Sequence, residues 1–468
     1  MNHHKFTNAL QDLHTRASEL IQQKDKKKVD RVESHKPINY LATSEHHEIS
    51  ADMPKIDVSS LKLVIHGSED LAPYLDPLND NLRHEIIKYG EFAQATYDAF
   101  DFNSFSSYCG SCMYGMDRMF DKLELKRNGY TVTTFLYAMS RLNMPHWLER
   151  SFHPKAWNRD SNWMGYVAVS DDAERERIGC RDVLVTWRGT IAPAEWLKDM
   201  DARLEHFGDK NSDAKVAHGY YGIYTSKGED AKYNQRSAQD QVLEELKRLI
   251  PFFRSRGEYV SLTLSGHGLG GALCFLTAYD AAQEFPDLPI TVLTFGGPRV
   301  GNKPFCEKLK EKKVKVIRVV VKHDIVPHLP GIPFNKKLEK VENLAESWHG
   351  LYTHYGYELN LEVKSSPYLK QMFDLVGYHN LEMYLHLVDG HISSNGLAKF
   401  REDAKRDVAL VNKWSGMLKK ETLVPSCWYQ PAFKGLVCNK FGRWVIPERE
   451  PEDVPPSPGT HVPLSVFN

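Results

Sequence analysis

The sequence lacks the features that mark several classes of protein. No apolar stretch is as long as a membrane span, and the N-terminus has no charged-then-apolar secretory signal. A net charge of -1 gives none of the basic excess that is typical of nucleic-acid binding, so we expect no nucleic-acid partner. Seven cysteines, an odd number, fit a reducing compartment better than a disulfide framework.

The first 60 residues also lack the composition of a typical transit peptide. They contain only two arginines, Arg16 and Arg31, and they include acids such as Asp12 and Glu19. Transit peptides are rich in arginine and serine and poor in acids. This composition predicts a cytoplasmic protein.

What is present is enough apolar sequence for a large core, with 41% hydrophobic residues in a chain of 468. The texture divides the chain into a polar leader at 1–74, one large domain at 75–450 and a proline-rich tail at 451–468, which we predict to be extended. Within the domain, apolar spacing predicts helices at 81–99, 237–250 and 269–282, and strands at 166–170, 183–187, 259–264, 290–295 and 314–321. Strands that alternate with helices predict an α/β fold with a mostly parallel central sheet flanked by helices.

A glycine-rich turn between a strand and an apolar helix is the most informative segment. Gly266, Gly268 and Gly271 match the G-x-G-x-x-G pattern of dinucleotide-binding proteins. That pattern requires an acidic residue at the end of the following strand, which here ends in Phe295-Gly296-Gly297-Pro298. Dinucleotide binding is therefore only a remote alternative.

The same turn also matches the nucleophile elbow G-x-S-x-G, in which a strained turn presents a serine above the sheet. Gly266 and Gly270 are the flanking glycines, and His267 and Leu269 fill the variable positions. Gly268 stands where the serine belongs. Glycine tolerates the backbone angles of an elbow, so we expect the fold to survive this change while nucleophilic catalysis is lost.

Several segments in a fixed order resemble one family. They are 162–170 (NWMGYVAVS), 187–190 (WRGT), the elbow, 295–302 (FGGPRVGN), 323–327 (HDIVP), 379–382 (HNLE) and 435–445. Together they resemble the plant class 3 lipases, in the branch of sn-1-specific phospholipases A1 related to the anther-dehiscence lipases, over residues 75–450. The resemblance implies the α/β-hydrolase fold and a Ser-Asp-His mechanism. The family has serine at position 268.

The resemblance implies roles for the remaining site residues. Asp324 follows an apolar strand and is the candidate triad acid, and His379, at the start of a helix predicted at 379–387, is the candidate base. Thr190 and the backbone N–H of Leu269 are the candidate oxyanion hole. The apolar stretch after Thr190 lies where these lipases carry a lid, and its candidate lipid-contacting residues are Ile191, Trp196 and Leu197.

No cofactor is needed by this mechanism. His379, Glu382 and His386 share one helix face and could be interpreted as metal ligands, but they do not form a zinc motif such as H-E-x-x-H, and we expect no metal. The expected partners are a phospholipid, galactolipid or acylglycerol and, transiently, a membrane or lipid surface. For the localisation, the resemblance to the family implies the chloroplast as an alternative to the cytoplasm.

Gly268 leaves three interpretations open. It is a substitution introduced to trap a bound lipid, or it is natural in a non-catalytic lipid-binding protein, or the site hydrolyses esters by direct attack of water with His379 as the base. In all three the chain is related to lipid acyl hydrolases, and the three differ in its present turnover. With Gly268 we expect a strongly impaired or inactive acyl hydrolase.

Overall fold

The computed structural model describes most of the chain from Leu71 onward. The described residues are 71–101, 106, 108–139, 161–190, 201–208, 212–229, 231, 233–330, 351–371, 377–394, 397–429, 437–438, 440–445, 449–457 and 459–467. They contain thirteen strands and nine α-helices, numbered here in chain order. The strands are β1 (Tyr130–Ala138), β2 (Asn162–Ser170), β3 (Arg181–Trp187), β4 (Leu204–His206), β5 (Lys215–Ala217), β6 (Val260–His267), β7 (Ile290–Phe295), β8 (Lys315–Val321), β9 (Tyr357–Leu361), β10 (His391–Ser394), β11 (Leu397–Phe400), β12 (Val437–Cys438) and β13 (Trp444–Val445).

The α-helices are α1 (Ala72–Leu75), α2 (Asp80–Asp98), α3 (Met119–Lys122), α4 (Asp172–Ile178), α5 (His218–Thr225), α6 (Ala238–Ser255), α7 (Leu269–Glu284), α8 (Lys303–Glu311) and α9 (Leu381–Gly390). Short 3-10 turns join or follow them, among them Val326–His328, Val408–Asn412, Lys420–Thr422, Pro451–Asp453 and Leu464–Phe467. Local caps fix the starts of the long helices. Asn79 accepts from the backbone N–H groups of Asn81 and Leu82 at the start of α2, and Ser237 and Asp240 form a capping box at α6.

The central sheet has seven strands in the order β1-β2-β3-β6-β7-β8-β9. The first three pair antiparallel, and β3, β6, β7, β8 and β9 are parallel. The predicted α/β-hydrolase architecture, a mostly parallel sheet flanked by helices, is confirmed. The predicted strands and helices of this part of the chain are present with modest changes at their ends.

Helices cover both faces of the sheet, and the side chains of each strand alternate between two cores. In β7, Leu293 and Phe295 face the core under α2 and α9, while Ile290 and Val292 face the core under α5, α6 and α7. Because the parallel strands all run in the same direction, their carboxyl ends meet at one edge of the sheet. Residues that follow β3, β6, β7 and β8 are therefore brought together there.

The two ends of the described chain pack against the domain. Leu71, within the predicted leader, is already buried in the core. The tail is not simply extended as predicted, because it contains two 3-10 turns. Its Val462 N–H donates to the Thr133 carbonyl of β1, and Phe467 packs edge-on against Phe253 of α6. The division of the chain at 74 and 450 stays a prediction. In the part of the chain described here, no helix is both long and apolar enough to cross a membrane.

Candidate active site

Gly268 is the turn between β6 and α7, at the carboxyl edge of the sheet. Its backbone angles, φ 55° and ψ -122°, lie in a region that residues with a side chain adopt only under strain. Its neighbours have steric reasons to be glycine. A Cβ on Gly266 would lie 2.4 Å from the carbonyl carbon of Gly270, and a Cβ on Gly270 would lie 2.2 Å from the Trp187 carbonyl oxygen. The segment therefore has the shape of a nucleophile elbow and the backbone strain that goes with it.

Asp324 and His379 form a buried pair beside this elbow. His379 Nδ1 lies 2.6 Å from Asp324 Oδ2, and Asp324 is completely buried. The same carboxylate accepts the Val326 N–H at 2.9 Å and the Tyr384 hydroxyl at 2.6 Å. Since the carboxylate only accepts, the hydrogen-bond network assigns the imidazole proton to Nδ1 and leaves Nε2 with its lone pair.

The Nε2 atom of His379 is directed at position 268. A Cβ built on Gly268 would lie 2.6 Å from Nε2 and 3.3 Å from Cε1 of the same ring. The imidazole therefore comes closer to the Gly268 backbone than a side chain there would allow. The sequence predicted that His379 is the first residue of a helix. In the structure it precedes that helix, because α9 begins at Leu381 and Asn380 is its N-cap.

Gly296 allows this close approach from the neighbouring strand. It follows β7 with φ 60°, and its backbone N–H donates to the Val319 carbonyl of β8. A Cβ here would lie 2.8 Å from the Tyr384 hydroxyl, 2.9 Å from Asp324 Oδ2 and 3.0 Å from His379 Cε1. A side chain at this position would therefore push apart the three groups that form the pair and its support.

His267 packs against His379, although the elbow pattern predicted only a variable position there. The two imidazole rings stack with centroids 4.3 Å apart and an interplanar angle of 26°. His267 Nδ1 lies 2.7 Å from the Tyr97 hydroxyl, which also accepts the Gly189 N–H at 3.0 Å. Burial, together with the neighbouring His379, lowers the pKa of His267 well below its usual value, so its ring is neutral at ordinary pH.

The candidate oxyanion donors lie on the two segments that flank position 268. Leu269 is the first residue of α7, where backbone N–H groups have no partner within the helix and the helix dipole favours negative charge. Thr190 is partly exposed. It follows Gly189, whose backbone N–H donates to the Tyr97 hydroxyl. The preceding Arg188 is buried, bonds to the carbonyls of Trp163 and Gly189, and has its pKa lowered by burial to about 10.

The lid candidates Ile191, Trp196 and Leu197 lie outside the described residues. Ser265 is not placed to act as a nucleophile, because it is buried and its hydroxyl donates to the Tyr89 carbonyl. For dinucleotide binding, the structure offers no carboxylate directly after β7, where Gly296 and Gly297 follow.

The three residues considered as metal ligands do not converge. Glu382 is paired with Arg406 at 2.6 Å, and the Nε2 atom of His386 lies 2.8 Å from the Ser366 hydroxyl. His379 faces Asp324 instead. Within the described ranges, no group of three or more His, Cys, Asp or Glu residues could hold a metal ion.

Sequence reasoning missed Tyr97, Gly296 and Tyr384. Tyr97 and His267 are separated by 170 residues in the chain, and Tyr384 and Asp324 by 60. Tyrosines in amphipathic or apolar helices are ordinary core residues by their pattern. Only the glycine pair after β7 carried a signal, because glycine directly after a strand indicates a close approach of another group.

Comparison with known proteins shows which families and structures this chain is similar to. The family profile "Lipase (class 3)" matches residues 184–334. "Phospholipase A1-Igamma3, chloroplastic" of Arabidopsis thaliana is 44% identical over 414 residues, covering 83% of this chain and 78% of the relative. "Phospholipase A1-II 6" of Oryza sativa subsp. japonica is 36% identical, covering 83% of this chain and 95% of that one. A solved lipase from Rhizopus microsporus var. chinensis aligns with a TM-score of 0.39 and 20% identity, over 68% of this chain and 88% of that one.

The prediction of a cytoplasmic protein is wrong. Three of the relatives, the phospholipases A1-Igamma1, A1-Igamma2 and A1-Igamma3 of Arabidopsis thaliana, are named chloroplastic and are 42 to 44% identical to this chain. The prediction relied on the total of arginines and acids in residues 1–60. A targeting address is recognised by a receptor, and its summed charge is not a sufficient criterion for the compartment.

Proposed function

Because the chain belongs to the plant phospholipase A1 family of class 3 lipases, we propose that it binds a lipid acyl ester at the elbow and hydrolyses it only at a residual rate. Its relatives are lipases and phospholipases A1, which are carboxylic ester hydrolases. The proposal rests on one observation. His379 Nε2 would lie 2.6 Å from a Cβ at position 268, while His379 Nδ1 is hydrogen-bonded to Asp324.

This arrangement supports general base catalysis directed at the turn. Asp324 fixes the tautomer that leaves the Nε2 lone pair free to accept a proton, and it stabilises the imidazolium that forms. We assign to the Leu269 N–H, at the start of α7, and to Thr190 the stabilisation of negative charge on a carbonyl oxygen. These are the parts of an acyl hydrolase other than its nucleophile.

Gly268 has no side chain, so the covalent route of the family cannot begin there. To form an acyl-enzyme here, the side chain at this position must supply a nucleophilic atom, such as a hydroxyl oxygen or a thiol sulfur. Removal of a triad member leaves a rate enhancement of about 10³ to 10⁴ over water, from the oxyanion donors and substrate binding. We expect a residual activity of this order.

The residual reaction proceeds by direct attack of water. His379 Nε2 takes a proton from a water molecule as the water oxygen bonds to the ester carbonyl carbon. The resulting oxyanion accepts hydrogen bonds from the Leu269 N–H and Thr190. When it collapses, the bond to the alkoxy oxygen breaks, and the imidazolium returns the proton to the departing alcohol. One ester and one water give one acid and one alcohol.

The substrate class follows from the relatives. Their names specify phospholipase A1 activity, so a phospholipid cleaved at its sn-1 ester is the leading candidate, with galactolipids and acylglycerols as the other members of the class. A non-catalytic lipid-binding protein is the second candidate, and Gly268 is the observation that favours it. The two candidates differ only in whether any turnover depends on His379.

The test compares Gly268→Ser with Gly268→Ala on phosphatidylcholine and galactolipid vesicles and on a soluble short-chain ester. Both variants place a Cβ against His379 and share the same backbone strain, but only serine supplies a nucleophile. We expect serine to raise the rate by at least about 10³-fold over the unchanged chain and alanine to give no gain. His379→Ala should abolish the residual rate of the unchanged chain.

Two outcomes would contradict the proposal. Equal inactivity of the serine and alanine variants, with both folded, would remove the support for Asp324 and His379 as hydrolytic groups. A residual rate that survives His379→Ala would exclude water attack at this site, and lipid binding without turnover would leave the non-catalytic candidate.

For the compartment, we propose the chloroplast. The names of three relatives support it. Incubation of the full chain with isolated chloroplasts tests it. Recovery of protease-protected protein is the expected result, and complete protease sensitivity would contradict it.

A further inference from the structure

One stretch of the chain differs in composition from the rest. Residues 413–445 contain six basic residues and one acidic residue, in a chain whose net charge is -1. They also contain three of the nine tryptophans, Trp414, Trp428 and Trp444. A basic and aromatic segment in a nearly neutral chain is typical of a surface that meets a negatively charged partner.

Several apolar side chains of this stretch are exposed. Leu423 is 89% exposed and Phe441 is 74% exposed, and Trp428 is exposed at 39%. Leu423 follows the turn Lys420–Thr422 with φ 58°, a conformation that a leucine rarely adopts. Its backbone N–H donates to the Lys420 carbonyl and closes the turn, which leaves the side chain in solvent. Contact with an apolar phase would remove that apolar side chain from water.

Exposed cations lie next to these apolar side chains. Lys440 and Arg443 flank Phe441 in the hairpin of β12 and β13, and Lys420 precedes Leu423 by three residues. The Lys440 ammonium lies 5.2 Å from the centroid of the Phe441 ring. The exposed side chains of Lys420, Leu423, Trp428, Lys440, Phe441 and Arg443 are together called the C-terminal surface.

Ion pairs attach this stretch to the elbow side of the molecule. At its beginning, Lys413 pairs with Asp98 at 2.6 Å, and beyond its end Arg449 pairs with Asp101. Asp98 ends α2, and the preceding residue, Tyr97, bonds to the elbow residue His267. Lys413 and Arg449, which flank the C-terminal surface in the chain, are thus both held beside the end of α2 that contacts the candidate active site.

A second attachment reaches the other side of the site. The side chain of Asn380, the residue after His379, donates to the Val411 carbonyl at 3.1 Å. Asn412 in turn donates to the carbonyl of Val424, the neighbour of Leu423. The exposed leucine is therefore connected through two short hydrogen-bonded steps to the residue that adjoins His379.

From this arrangement we propose that the C-terminal surface docks the protein on an anionic lipid bilayer, with the elbow side turned toward the lipid. Trp428, Phe441 and Leu423 enter the interfacial region, and Lys420, Lys440 and Arg443 contact the negatively charged head groups. The choice of lipid as the partner rests on the proposed function. The surface itself lies outside the elbow and the Asp324–His379 pair.

Vesicle sedimentation of the full chain tests the proposal, with phosphatidylcholine vesicles that contain or lack phosphatidylglycerol. We expect binding to be at least about tenfold tighter when phosphatidylglycerol is present, and to weaken as salt rises. Lys440→Ala with Arg443→Ala should remove most of that difference, by about fivefold for each charge. Leu423→Ser with Phe441→Ser should weaken binding to both kinds of vesicle by about tenfold or more.

Tyr259→Ser is the matched control. Tyr259 is 46% exposed and directly precedes β6, at the amino end of the strand whose other end reaches the elbow. We expect this variant to bind vesicles like the unchanged chain. All the substituted residues are exposed, so the variants should keep the thermal midpoint of the parent, which is measured alongside.

Three results would overturn the proposal. One is unchanged vesicle binding by the double variants, or an equal loss in Tyr259→Ser. Another is that the chain binds a single-stranded oligonucleotide more tightly than vesicles, and that Lys440→Ala with Arg443→Ala removes this oligonucleotide binding. That result would indicate a nucleic-acid partner. The third is conversion of a dimer to a monomer by Leu423→Ser with Phe441→Ser without any change in vesicle binding, which would indicate an interface between two copies.

This test is separate from that of the proposed function. If Gly268→Ser hydrolyses the soluble ester but the double variants bind vesicles normally, only the docking proposal fails. If the double variants lose vesicle binding while Gly268→Ser remains inactive on the soluble ester, only the hydrolytic proposal fails.

Discussion

The imidazole rings of His267 and His379 stack with their centroids 4.3 Å apart, at an interplanar angle of 26°. His267 Nδ1 is bonded in turn to the Tyr97 hydroxyl, which also accepts the Gly189 N–H. One tyrosine therefore supports both the ring behind the candidate base and the segment that carries Thr190. Tyr97 thus acts on the surroundings of Gly268 both through His267 and through Gly189.

Tyr97→Phe should reduce activity in the Gly268→Ser background by about 10- to 100-fold. The variant leaves the Gly189 N–H and His267 without the shared hydroxyl, so the loop before Thr190 and the stacked ring lose their common support. We expect the loss in kcat rather than in KM, because the change affects the geometry of the reacting groups and not the contacts with the bound lipid. Steady-state kinetics on a soluble ester measures it, and a loss confined to KM would contradict this role.

Tyr384→Phe should lower both stability and, in the Gly268→Ser background, activity. The hydroxyl donates to Asp324 Oδ2 at 2.6 Å, and loss of a hydrogen bond to a buried carboxylate costs about 1.5 to 3 kcal/mol. Without it the carboxylate is held less firmly against His379, and we expect about a tenfold fall in rate. Chemical unfolding and ester hydrolysis give the two readouts.

Tyr89→Phe is the control for that variant. The Tyr89 hydroxyl donates to Asp182 Oδ2 at 3.0 Å, another buried carboxylate, near the amino end of β3 and away from the elbow. It should show a similar loss of stability with an unchanged rate. If both variants lost activity equally, the effect of Tyr384 would be ascribed to stability alone.

Gly268→Ala should destabilise the fold by about 1 to 3 kcal/mol from backbone strain, with a further cost for moving His379. The φ of 55° is unfavourable for any residue with a side chain, and the new Cβ would lie 2.6 Å from His379 Nε2. Gly257→Ala separates the two contributions, because Gly257 also has a positive φ, 79°, but nothing lies within 4 Å of its Cβ position. If Gly268→Ala lowered the free energy of unfolding no more than Gly257→Ala does, His379 would move aside without a measurable loss of stability.

Acidification should destabilise the protein below about pH 6.5, partly through His386. Burial lowers the pKa of His386 from 6.5 to about 4, so the folded chain binds fewer protons than the unfolded chain between these values. Its contribution is present above pH 6.5 and is lost progressively down to pH 4, by roughly 3 kcal/mol in total. The pKa values of His267 and His354 are also lowered by burial, and they act in the same direction.

Unfolding free energies of the unchanged chain and His386→Gln at pH 7.5, 6 and 5 check this. The variant should be less stable at pH 7.5 but should lose less on acidification, because one titrating group is gone. His206→Gln, at an exposed position, is the control for removing a histidine. A slope that is unchanged in His386→Gln would contradict the assignment.

Patterns within short segments were sufficient for the architecture. Alternation of apolar strands and helices predicted the parallel sheet, and the helix predicted at 81–99 is found at Asp80–Asp98. The glycine spacing predicted the elbow, since Gly266 and Gly270 are required by contacts with atoms only a few residues away or on the adjoining strand. The compartment could not be obtained in this way, because the composition of a leader does not determine which receptor recognises it.

By itself, the sequence predicted an elbow with Gly268 at the nucleophile position, and Asp324 and His379 as the candidates for the acid and the base. Only the tertiary structure decided that these two form a buried pair 2.6 Å apart, and that Tyr384, Tyr97 and Gly296 support it. It also decided that Leu423 and Phe441 remain exposed. The physical reason is that hydrophobic periodicity encodes which side of a helix or strand is buried, whereas contacts between segments far apart in the chain depend on how those elements pack together.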